Sequence, residues 1–106
     1  MAKYLFEVDY SADGTRGLLK DGGSKRRAAV EESVKSLGGT VEAFYFTFGT
    51  RDAITIVDLP DNVSALAISL AVSASGAVAF QTTPLLTPAE VDQATKKSVG
   101  YRPPGA

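Results

Sequence analysis

A chain of 106 residues with 44% hydrophobic and 22% charged side chains has the make-up of one globular domain. Its 11 basic and 12 acidic side chains leave a formal charge of -1, so no overall field draws the polyanionic backbone of nucleic acid. There is no cysteine and no histidine, which excludes disulfides, thiol catalysis, thiolate or imidazole metal sites and histidine-based triads, and confines any catalyst to carboxylates, Lys, Arg, Tyr or hydroxyls.

Residues 3–10 alternate, with Tyr4, Phe6, Val8 and Tyr10 on one face and Leu5, Glu7 and Asp9 on the other, the period of a strand. No charged segment followed by an apolar one precedes it, so a cytoplasmic location is the expectation. Ser11-Ala12-Asp13-Gly14 reads as a turn cluster, Thr15 to Lys20 as a short helical segment, and Ser24 as the cap of a longer one. Across residues 25–37, Val30, Val34 and Leu37 recur at helical spacing and Glu31, Glu32 and Lys35 turn away, until Gly38-Gly39 ends the helix.

Residues 40–48 and 53–59 are rich in β-branched and aromatic types and predict two strands joined by a hairpin through Gly49-Thr50-Arg51-Asp52. A second main helix follows over 63–75, with Gly76 just past its end, and then a strand over 77–83 that Pro84 closes. Thr87-Pro88-Ala89-Glu90 has the form of a capping box opening a short helix to about Lys97, beyond which the Pro- and Gly-rich tail is either loose or pinned on a neighbour. The order is β, α, β, β, α, β: an α+β domain over 1–106, with a core over 3–84 and a C-terminal helix and extended tail over 85–106.

No charged residue occurs between Asp61 and Glu90, yet this stretch splits into two elements and contains several serines and a glycine, so it does not predict a membrane span. Burial under partner protein explains it better. Phe44, Phe46 and Phe48 line one face of the second strand while Val41, Ala43 and Tyr45 line the other, and Ile68 and Val72 on the second helix stand opposite Leu66 and Leu70. Leaving about 400 Å² of such surface in water would forfeit about 10 kcal/mol, comparable to the whole stability of a small domain. The pattern predicts a homo-oligomer.

The chain resembles, from end to end, the bacterial GYD-domain family of small proteins. The resemblance rests on Gly38-Gly39, on Phe44-Tyr45-Phe46-Thr47-Phe48-Gly49 leading to Asp52, on Val57-Asp58-Leu59-Pro60-Asp61 and on Thr82-Thr83-Pro84. It implies a ferredoxin-like fold with a four-stranded antiparallel sheet, of the dimeric α+β barrel type in which two sheets face each other around a shared space. The sequence departs from the family's Gly-Tyr-Asp signature at Arg51, where Tyr is usual.

If Phe44 and Phe46 face the helices, then Glu7, Asp9, Tyr45, Thr47, Gln81 and Thr83 share the partner-facing side. Glu7 and Asp9, about 6.6 Å apart along one strand face, are candidates for proton transfer if enclosure between sheets raises the pKa of one, with Tyr45 orienting a bound oxygen. Thr47, Gln81 and Thr83 complete a candidate binding wall. An interface with ordinary polar residues is the alternative. A second candidate is Gly22-Gly23-Ser24-Lys25-Arg26-Arg27, where Lys25 and Arg26 suit a phosphate or carboxylate, against the alternative of a solvated charged face. Arg51 and Asp52 either act at a subunit boundary or pocket mouth or, for the Asp, simply bond backbone N–H groups.

Three functions stay open: a homo-oligomeric module that binds a small molecule between its sheets, a cofactor-independent oxygenase or isomerase using Glu7 or Asp9 with Tyr45, and a purely structural assembly. None calls for a cofactor, nucleic acid or a membrane.

Overall fold

The computed structural model describes residues 1–106 as β1 (Ala2–Tyr10), α1 (Ala12–Asp21), α2 (Gly23–Ser36), β2 (Thr40–Phe46), β3 (Ala53–Leu59), α3 (Asn62–Ala74), β4 (Val78–Leu85) and α4 (Pro88–Thr95). The four strands form one antiparallel sheet in the order β2-β3-β1-β4. With α2 and α3 as the crossovers, this is the ferredoxin-like βαββαβ fold plus a C-terminal helix. No helix is long and apolar enough to cross a membrane.

Alternation in β1 directs Tyr4, Phe6 and Val8 under the helices, where they are buried with Val34 of α2, Val57 and Leu59 of β3, and Ala65 and Ile68 of α3. The Tyr4 hydroxyl reaches the start of α3 and donates to Asn62 Oδ1 at 2.6 Å, so the phenol is buried without an unmet hydrogen bond. α3 begins where the Asp61 carboxylate accepts the Ser64 N–H at 2.8 Å. At the end of α2, Gly38 has φ +79° and the Gly39 N–H closes on the Val34 carbonyl at 3.0 Å. A Cβ on Gly39 would stand 2.3 Å from the Asp58 carbonyl oxygen, so this turn has no room for a side chain.

Several expectations are corrected. Ser11 is a helix cap rather than part of a turn, its hydroxyl accepting the Gly14 N–H at 3.1 Å, so α1 starts three residues early. Ser24 caps nothing: Gly22, at φ +81°, ends α1 and lets α2 begin at once. β2 stops at Phe46, leaving Phe48 fully exposed in the hairpin. β4 runs through Pro84 to Leu85, because it is an edge strand on which a missing N–H breaks no ladder bond.

A further correction concerns Val41. The β2–β3 register shifts between Val41 and Ala43, so Val41 pairs with the buried Val57 and packs on the core, whereas Ala43 pairs with Ile56 on the opposite face. One extra residue, Glu42, reverses the alternation that simple counting assumes.

Candidate functional site

The sheet face away from the helices carries the candidate site. Pairing registers align Tyr45, Ile54, Glu7 and Gln81 in one row across all four strands, and Ala43, Ile56, Leu5 and Thr83 in the next. Leu5, Ile54 and Ile56 are only half-buried there, so an apolar stripe crosses the middle of an uncovered face.

Polar clusters bound the stripe at both ends. At one, Lys3 Nζ lies 2.9 Å from Asp58 Oδ1 and 3.1 Å from Glu42 Oε2. Hydrogen bonding first to Asp58 and then to Glu42 holds the Lys3 ammonium above its ordinary value. At the other, the Arg51 guanidinium spans three partners: Asp9 Oδ2 at 2.8 Å, Glu7 Oε2 at 3.4 Å and Gln81 Oε1 at 2.6 Å. Its pKa is raised, chiefly by the hydrogen bond to Asp9 and then by the carboxylate charges of Asp9 and Glu7.

Local structure explains how a hairpin residue comes to lie over β1. The Asp52 N–H donates to the Val8 carbonyl at 3.0 Å, and the Asp52 carboxylate accepts the Tyr10 N–H at 2.9 Å, extending the β1–β3 ladder past its last pair. The Asp52 carbonyl accepts the Thr47 N–H at 2.8 Å, and the Thr47 hydroxyl donates to the Arg51 carbonyl. Asp52 thus bonds backbone, as the plainer of its two readings has it. With the hairpin closed at its base, the Arg51 side chain can reach back over Glu7 and Asp9.

The structure therefore brings together Glu7, Asp9 and Gln81. Tyr45 shares their face but lies beyond Ile54, two strand spacings or about 9.6 Å from Glu7. Its exposed phenol makes no hydrogen bond to the carboxylates. Thr47 serves the hairpin, and Thr83 stands beside Leu5 in the apolar stripe. The enclosure on which the proton-transfer expectation depends is not supplied by one chain, in which the Glu7 and Asp9 side chains keep 25% and 35% exposure and both face Arg51.

Lys25 and Arg26 belong elsewhere. They sit on α2, on the helix side of the sheet, so the two sets of candidate residues do not form one site. No local pattern in the sequence marks Arg51 as the residue that ties the polar cluster together, nor the ion pairs of Lys3. The signal was the antiparallel register, which alone sets the hairpin over β1. No three His, Cys, Asp or Glu side chains converge as a metal site.

Comparison with known proteins finds no match among curated proteins and none among solved structures. The family model described as the GYD domain matches residues 4–95, from β1 through α4. A match over that much of the chain identifies it as a member of the GYD domain family.

Proposed function

We propose that the chain is a self-associating module that binds a small molecule between two copies of its open sheet face. The observation that carries this reading is the face itself: Leu5, Ile54, Ile56 and Ala43 form an apolar centre, rimmed by Arg51 with Asp9, Glu7 and Gln81 at one end and by Lys3 with Asp58 and Glu42 at the other. An apolar core inside a polar rim is the anatomy of a protein interface. Each rim cluster joins one cation to two carboxylates, so a second copy meets it favourably where the cation of one rim faces a carboxylate of the other.

Facing sheets would enclose the Tyr45–Glu7–Gln81 row, where the stripe offers an apolar wall and Arg51, Gln81 and Tyr45 offer polar contacts. That combination suits a ligand with an apolar or aromatic body and a polar end. Binding uses the row as it stands. Catalysis by Glu7 or Asp9 would require Arg51 to release a carboxylate, so the binding reading has the stronger support.

Light scattering at micromolar concentration is expected to show a dimer or larger assembly, and Ile56→Lys to yield a monomer, because the new charge lies in the middle of the stripe. A wild-type monomer would end the proposal of self-association. Native mass spectrometry of protein from its own cells, before and after denaturation, tests separately for a retained ligand.

A further inference from the structure

The helix layer contains an opening that the sheet-face reading does not use. α2 packs chiefly on α1 and β2, and α3 on β4 and β3, so that α2 and α3 share the buried cluster of Val34, Ala65 and Ile68 without lying close along their lengths. Between α1–α2 and α3 lies a cleft of about 630 Å³, and beneath it a crevice of about 80 Å³ reaches the sheet among Phe6, Val8, Phe44, Ile68, Val72 and Phe80. Gly17, Ala29, Ala67 and Ala71 line the cleft, so no long side chain fills it at these positions. The combined space falls within the size range of small-molecule sites, about 300–1,000 Å³.

Arg26 belongs to the walls of both the cleft and the crevice. Its Nε is shut off from solvent without a hydrogen-bond partner, and its guanidinium carbon stands 5.8 Å from the centre of the Tyr10 ring. No carboxylate pairs with it: Glu31 is taken by Arg27 at 3.1 Å, and Asp13 by Arg16. A guanidinium nitrogen held dry and unpaired is unfavourable until an anion meets it. Asp13 and Asp21 occupy the α1 wall, which directs an anion to the α2 side, where Lys25 stands beside Arg26.

We propose that this cleft binds a small anionic amphiphile, its carboxylate or phosphate head on Arg26 and its apolar chain running into the crevice toward Phe44 and Phe80. Such a ligand satisfies both features at once, the unpaired donor and the unfilled apolar space.

Decanoate titrated into nitrogen-15-labelled protein and followed by NMR tests this. Saturable shifts are expected at the amides of Ala29, Ser33 and Ala71. Arg26→Met is expected to bind decanoate roughly tenfold or more weakly, as loss of a charge-assisted hydrogen bond implies, while decan-1-ol binds both proteins alike. Ala29→Phe, which fills the cleft and leaves Arg26 in place, is expected to abolish binding, and it keeps the test decisive should Arg26→Met not fold. Absence of saturable binding, equal decanoate affinity in Arg26→Met, undiminished binding in Ala29→Phe, or shifts confined to Glu7 and Gln81 would each overturn the proposal.

Discussion

At the scale of single residues, two polar groups show how position decides what a side chain contributes. Thr82 stands opposite Phe6 on the helix side of the sheet, and its hydroxyl is buried without a partner. Burying an unmet hydroxyl is unfavourable, and valine has nearly the same shape without it. Thr82→Val is therefore expected to stabilise the fold by about 1 kcal/mol in urea unfolding. Arg51 is the contrary case. It stands where the family signature usually has Tyr, and its guanidinium, unlike a phenol, can bond two carboxylates and an amide at once. From sequence it was a departure from a motif, because nothing local says that the hairpin folds back over Glu7 and Asp9.

At the scale of elements, the start of α4 was legible from its complete capping-box motif, whereas Ser11, whose hydroxyl caps α1, read as part of a turn. Asp61 caps α3 and Thr87 caps α4 with a complete capping box. Hydrogen bonds from Ser64, the backbone N–H first, hold the Asp61 carboxyl below its ordinary value of 3.8. A carboxyl lowered in the folded state adds stability that is fully present above its unfolded value and lost as pH falls through the folded one. Asp61→Asn keeps a capping oxygen that does not titrate, so wild type is expected to be the more stable above about pH 4 and the difference to vanish in more acidic solution, as thermal unfolding at several pH values would show. Ser24 and Val41 misled for a different reason. The α1–α2 junction is made by the backbone freedom of Gly22, and the β2 bulge by its pairing with β3, neither of which a periodicity reveals.

At the scale of the whole molecule, the chain is more extended than its length requires. Its radius of gyration is 16.9 Å, against about 13 Å for a compact chain of this size. Every residue from Leu86 to Ala106 is exposed, including Leu86, Val91, Val99 and Tyr101, and so are Leu66 and Leu70 on the outer side of α3. A segment whose every residue is exposed adds little to the chain's stability. Truncation after Leu85 is expected to move the Tm of monomeric protein by no more than about 2 °C, well under the shift that 1 kcal/mol produces. In the assembly proposed above, the same truncation is expected to weaken association in sedimentation experiments, since these apolar side chains are then lost from any partner's surface.

Apolar periodicity and capping, being local, order the elements and set Tyr4, Phe6 and Val8 opposite Glu7 on β1 without knowledge of neighbours, while packing turns that set and Phe44 toward the helices. Only the tertiary structure decided that Val41 turns inward, that Arg51 closes over Glu7 and Asp9, and that Arg26 is left unpaired in a cleft between helices. Each of those depends on strand register or helix separation, and these are set by contacts between residues far apart in the chain.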